Sequence, residues 1–217
     1  MELSKDKITP RVELQFARLD SPDFKYNTDG EFIAFIALDP ANPEHAEFIS
    51  DYREMEEAAW AELVEEDKKR KKWKTASRLV EELDEEGDET GRLIMKFKQN
   101  HKLHSKKTGK SYTVNTIPTL DASRKTVAGL KPSGGSIVRV KFRNRKAAVA
   151  SSKELLITND LVAVQVIELV EFNGAANGFD DEDGFDGSGY ESSIPSGVDN
   201  YQDDDGAGED DDDGADY

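Results

Sequence analysis

Ile137-Val138-Arg139-Val140-Lys141-Phe142-Arg143 alternates without a break. Val138, Val140 and Phe142 fall on one face and Arg139, Lys141 and Arg143 on the other, the period of two that a half-buried strand requires. Like charges sharing one sheet face repel each other, so a compensating partner is expected, and the phosphate backbone of a nucleic acid is the commonest polyanion. Pro132-Ser133-Gly134-Gly135, a turn by composition, leads into this strand.

Upstream the pattern recurs. Arg92-Leu93-Ile94-Met95-Lys96-Phe97-Lys98 places Leu93, Met95 and Phe97 on one side and Lys96 and Lys98 on the other. Arg11 to Arg18 also alternates, with Val12, Leu14 and Phe16 as its apolar members. Glu31 to Leu38 is apolar on both faces, which predicts a strand covered on both sides and puts Phe35 in packing rather than in binding. Tyr112 to Ile117 predicts another strand, ended by Pro118, with Thr126-Val127-Ala128 a short one and Leu161–Phe172 the last.

One segment breaks the β pattern. Asn42 can cap a helix and Pro43 suits its first position. Phe48, Tyr52, Met55, Ala59 and Leu63 then follow at spacings of four and three, one apolar stripe. A second short helix is expected over Ala76–Leu83, closed near Gly87. The fold expected is therefore mainly β: an OB-fold-like five-stranded barrel over residues 1–172, carrying a helical insertion at about 43–87. A β-sandwich fits the same strand count. Residues 173–217 are Gly, Asp, Ser and isolated aromatics, a composition that predicts a disordered acidic C-terminal tail.

Charge is distributed very unevenly over the 217 residues, whose formal net is −17. Residues 173–217 hold 16 acids and no Lys or Arg, and residues 44–89 hold 17 acids against eight bases. Residues 90–172 carry 16 bases against five acids. A basic body joined to an acidic tail is the reading, rather than a uniformly acidic protein. The candidate DNA-binding residues are Lys96, Lys98, Arg139, Lys141 and Arg143 on strands, with Lys102, Lys106, Lys107, Lys110, Arg124, Lys125, Arg145 and Lys146 in the segments between. Tyr112 is the candidate base-stacking aromatic. Trp73, inside the Lys68–Lys74 run, is assigned to packing.

Other chemistries find little support. Gly109-Lys110-Ser111 has His104 where a phosphate-binding loop needs glycine. His101 and His104 have helical metal spacing but fall in a loop, and cysteine is absent, so no metal or cofactor is expected. No nucleophile–base pair stands out, so catalytic residues are none and the protein is expected not to be an enzyme. No apolar run reaches membrane length and the N-terminus lacks a signal's apolar stretch, giving a cytoplasmic expectation, the host cytoplasm if phage-encoded. Two other classes compete: an acidic chaperone or DNA mimic acting through its carboxylates, and a metal-dependent nuclease. The second is thinly supplied, since residues 90–172 offer only Asp121, Glu154, Asp160, Glu168 and Glu171.

The order of segments resembles the single-stranded DNA-binding proteins of podoviral (tailed) phages. An early strand, the Glu- and Ala-rich Glu44–Glu89 segment and Phe97-Lys98 come first. The lysine-rich Lys106–Lys110 turn, Gly134–Arg143, a strand ending Glu171-Phe172 and a Gly/Asp/Glu tail closing on Tyr217 complete the series. The resemblance implies an oligonucleotide-binding barrel that protects single-stranded DNA during phage replication and recombination. It also implies a homodimer, and a tail that shields the DNA site and recruits the phage polymerase and helicase-primase. Asp210, Asp211, Asp212, Asp213, Asp216 and Tyr217 take that tail role by resemblance.

Overall fold

The computed structural model describes residues 5–25, 27–104 and 108–171. The chain divides into two units, Met1–Asn177 and Gly178–Tyr217, and every described residue lies in the first. The tail residues singled out above, with Lys106 and Lys107, fall outside the described set.

Five long strands close a ring. They are β2 (Val12–Asp23), β3 (Glu31–Leu38), β6 (Glu89–Asn100), β10 (Ile137–Val149) and β11 (Glu154–Glu168). β2 pairs β3, β3 pairs β6, β6 meets β11, β11 pairs β10 and β10 returns to β2. All pairings are antiparallel except β6–β11, which is parallel at Lys98 and Asp160. Closure leaves none of the five as a free edge, the property that defines a barrel. The interior is the alternating apolar set: Leu14 on β2, Phe32 and Ile36 on β3, Met95 and Phe97 on β6, Val140 and Phe142 on β10, Leu161 and Val164 on β11.

Helix α1 (Pro43–Glu66) begins where the sequence predicts, with the Asn42 side chain accepting from the Glu44 and His45 amides. Its expected stripe is buried, and Phe48 meets Phe142 edge to face at 6.2 Å. Phe142 in turn meets Phe97 at 5.0 Å. One polar knot lies inside: Asn159 Oδ1 accepts from Tyr52 Oη at 2.8 Å and Asn144 Nδ2 at 2.7 Å, and Asn159 Nδ2 donates to the Lys96 carbonyl. Burial pushes the Tyr52 phenol well above its ordinary pKa, so it stays a donor.

Several expectations are corrected. Ala76–Leu83 is not a helix: β4 (Lys74–Ala76) pairs β11, and β5 (Leu79–Leu83) pairs β6. The four-residue spacing of Leu79 and Leu83 mimics a helical face, but tertiary pairing with β6 decides the state. β11 starts at Glu154 rather than Leu161, because inward Asn159 interrupts the apolar alternation. Tyr112–Ile117 contributes only β8 (Ser111–Thr113), a hairpin with β7 (Lys102–His104). Thr126–Ala128 makes a single bridge from Thr126 to Leu120 of β9 (Thr119–Leu120). A short β1 (Asp6–Ile8) adds to β10.

Candidate nucleic-acid interface

β3 and β6 turn one face inward and the other outward: Glu31, buried Ile33 and half-buried Phe35 beside Ile94, Lys96, Lys98 and Asn100. Register fixes who meets whom. Phe35 is opposite Lys96, Ile33 opposite Lys98 and Glu31 opposite Asn100. Across β2, Phe16 is opposite Phe35 and Arg18 opposite Ile33.

Phe16 reaches this face through a defect. The β2–β3 register shifts between Leu14 and Phe16, so Leu14 points in and Phe16, instead of following it, points out and is 44% exposed. A bulge inverts the alternation in this way. The two rings lie 6.3 Å apart at 55°, and Lys96 Nζ stands 5.3 Å from the Phe35 centroid, within cation–π range. Phe35 is half-buried in a cluster with Phe16 and Lys96, while Ile33 and Ala37 on the same strand are buried.

The rings open one end of a trough. A cleft of about 570 Å³ beside them is bounded by Phe16, Phe35, Ile94, Val80, Arg78 and Lys96. Arg78 and Lys96 also bound the next depression, with Lys98, Thr158 and Asn159. Lys98 and Thr158 carry on into a third, shared with Lys102, His104 and Arg145. Shared walls set these depressions side by side, and the walls also carry Glu81, Glu82, Asp29 and Asp160.

Arg78 is fixed from behind. Glu56, buried on α1, accepts from Ser77 Oγ at 2.6 Å and from the Arg78 amide at 3.0 Å. The guanidinium then donates to the Ile157 carbonyl at 3.2 Å. Burial raises the Glu56 pKa, and its two hydrogen bonds pull the other way. Sequence reasoning missed both Arg78 and Phe16. Arg78 sits in an acidic segment, and the bulge has no sequence signature.

Of the predicted cations, the trough gathers Lys96, Lys98, Lys102 and Arg145. Lys110 and Tyr112 are exposed on and beside β8 of the hairpin, Tyr112 across from Leu103. Arg124 and Lys125 occupy an exposed turn after β9 and bound none of the three depressions. Arg139 donates to the Thr9 carbonyl, while Lys141 and Arg143 share Asp6 on β1. The Arg143 and Lys141 hydrogen bonds hold the Asp6 carboxyl below its ordinary pKa. Lys146 turns to α1 and pairs Glu62 and Glu66 at 2.9 and 2.6 Å. Arg145 pairs Asp160 through two nitrogens. The basic faces are thus largely compensated within the chain, which corrects the inference that their repulsion calls for an outside partner.

Among the described residues no cluster of three or more His, Cys, Asp or Glu side chains could hold a metal ion. His101 Nδ1 is engaged with the Val114 carbonyl and His104 Nδ1 with Ser111 Oγ. No helix among the described residues is long and apolar enough to cross a membrane.

No family model matches the chain, and no curated protein matches it. Solved structures do. One is gp2.5, a single-stranded DNA-binding protein encoded by bacteriophage T7, at a TM-score of 0.64 and 18% identity over 82% of this chain and 99% of that one. Another is a C-terminal truncation of the single-stranded DNA-binding protein of bacteriophage Enc34, at 0.51 and 14% identity over 77% of this chain and 88% of that one. The likeness is one of fold, extending over most of both chains.

Proposed function

We propose that this chain is a non-enzymatic single-stranded DNA-binding protein of phage replication and recombination. Bases stack on Phe35 and Phe16, while Lys96, Lys98, Arg78, Lys102 and Arg145 follow the sugar-phosphate track toward the hairpin that bears Lys110 and Tyr112. The observation that carries this reading is the pair of outward rings, Phe16 on the first and Phe35 on the second strand of a closed five-stranded ring, beside Lys96 and Lys98 on the third. That is the face by which oligonucleotide-binding barrels take their ligand, and stacking beside a cationic track is how unpaired strands are held without regard to sequence. The names of the two structural neighbours support the same substrate.

Protection of the strand follows from covering its bases. The acidic stretch through Asp210–Asp213, Asp216 and Tyr217 competes for the trough and recruits replication enzymes, a polymerase and a helicase-primase, with the protein acting as a homodimer. The test is a salt titration of binding to labelled oligo-dT and to a duplex. Oligo-dT is expected to bind tighter, with a slope of roughly −3 to −4 from the five trough cations, steepening to about −5 to −6 with the three hairpin lysines, at about −0.7 per neutralised phosphate. Equal affinity for duplex, or a slope near zero, overturns the reading. Cleavage of the oligonucleotide with magnesium present overturns the non-enzymatic part.

A further inference from the structure

Carboxylates stand close to the trough's cations. Glu31 stands between Lys96 and Lys98, its carboxylate oxygens 3.6 and 3.5 Å from the two ammonium nitrogens. Asp160 holds Arg145. We propose that Glu31 is a built-in phosphate surrogate, an internal counterion that an incoming DNA phosphate must displace from Lys96 and Lys98. The inference rests on the single-stranded DNA reading and identifies a residue that sets the affinity of that same trough.

The geometry of Glu31 differs from that of a structural ion pair. Arg92 shows what the latter looks like in this fold: it grips Glu82 at 2.6 and 2.8 Å and Glu13 at 2.9 Å, with the Glu82 carboxyl held below its ordinary pKa by that contact. Charge-assisted hydrogen bonds close to about 2.7–2.9 Å. Glu31 closes to neither lysine. Its carboxylate is shared between the two lysines without a close contact to either, while the lysines remain 41% and 42% exposed.

The carboxylate itself is not loose. Its side chain is only 15% exposed, and its backbone is fixed from both sides. Glu31 pairs with Asn100 across β3–β6, and the preceding Gly30 accepts from the His101 amide and donates to Asn27. Gly30 has φ +72°, and a Cβ there would meet the Phe24 ring at 2.7 Å, so glycine is required to bring the strand in at this angle. A fixed anion with two adaptable cations around it is the arrangement in which the cations can change partners.

Two effects of Glu31 oppose each other, and their sizes decide the sign. As an organiser it keeps Lys96 near Phe35, but exposed ion pairs contribute little to holding a geometry. As an anion it stays fixed when phosphate arrives, and like charges brought to one pair of lysines repel in a partly desolvated cleft. Repulsion is the larger effect. Glu31 therefore weakens binding and lowers the number of solution counterions released, since part of the neutralisation is already internal.

The experiment uses the full chain and labelled oligo-dT, with Glu31→Gln as the isosteric variant, Glu31→Ser as a second, and Glu57→Gln on the exposed face of α1 as a control of equal charge change. Both Glu31 variants are expected to bind about 3- to 10-fold tighter at low salt and to steepen the salt slope by up to roughly 0.7, while the control stays within about twofold of wild type. Unchanged or weaker binding by both Glu31 variants overturns the proposal and assigns the residue to organising the lysines or to accepting from a base. An equal gain in Glu57→Gln also overturns it, because net charge alone then explains the effect. Wild-type protein that fails to bind oligo-dT overturns the DNA reading itself, a result distinguishable from all of these.

Discussion

Phe35 has Phe16 on one side and an ammonium over its face on the other, and nothing in the barrel interior depends on it. Truncating it should therefore cost affinity and spare the fold. Phe35→Ala is expected to weaken oligo-dT binding about 10- to 100-fold, the equivalent of roughly 1–3 kcal/mol of stacking, with Phe16→Ala close behind. Tyr112→Ala, on a solvent-facing hairpin, should cost less than either. Fluorescence anisotropy with a melting curve for each variant checks this order, and a fall in melting temperature matching the affinity loss would place Phe35 in the core after all. Glu56 makes the opposite kind of prediction. Its pKa is raised in the fold, so the native state keeps a proton above the ordinary glutamate value and stability declines as pH rises through that window. Glu56→Gln removes the decline, keeps one oxygen to accept from the Arg78 amide, and turns its amide nitrogen, a donor, toward Ser77 Oγ. Its melting temperature should be flatter with pH and equal to or above wild type at pH about 8. A variant less stable than wild type at that pH, with the same slope, would mean that the ionised carboxylate stabilises the loop. Neither residue was legible as functional. Phe35 looks like packing in a strand apolar on both faces, and a buried Glu on an acidic helix is indistinguishable from its exposed neighbours Glu54 and Glu57.

The barrel strands were legible where one face is wet and the other dry. β6 and β10 follow the alternation of Leu93-Met95-Phe97 and Val138-Val140-Phe142 residue for residue. α1 was legible from its cap and stripe. What failed was short or doubly committed: β5 has Val80 and Leu83 exposed at 59% and 58%, and only its pairing with β6 marks it as a strand. The β7–β8 hairpin pairs in its sheet only with itself, so it adds little to the barrel. Replacing residues 103–112 by Asn-Gly, which closes the hairpin between the partnered Lys102 and Thr113, should therefore leave the melting temperature within about 3 °C. It also removes Lys106, Lys107 and Lys110. The salt slope for oligo-dT should then fall by up to roughly 2, at about 0.7 per lost phosphate contact. A large loss of stability would show that the hairpin buttresses the trough, and an unchanged slope would exclude its lysines from the track.

At the scale of the whole molecule, charge asymmetry is the dominant electrostatic fact: residues 173–217 carry −16 while residues 90–172 carry +11. Both ends of that asymmetry were legible from sequence alone, but the internal pairing of the basic part was not: Glu31, Asp6 and Asp160 already occupy several of the cations expected to be free. The proposed competition by the acidic segment therefore acts on cations that are already partly neutralised, through the field it adds. Such a field is screened beyond about 10 Å at 0.1 M ionic strength. Removing residues 174–217 should tighten oligo-dT binding at least about 10-fold near 50 mM salt, and the gain should shrink to about twofold or less near 300 mM. The same truncation should abolish capture of a replication partner at every salt concentration, because that contact is assigned to Asp210–Asp213, Asp216 and Tyr217 themselves. Measuring the full-length and truncated proteins across the titration separates the mechanisms. A gain that persists undiminished at high salt means the segment is held by specific contacts in the trough, and no gain at low salt means it does not compete for DNA at all.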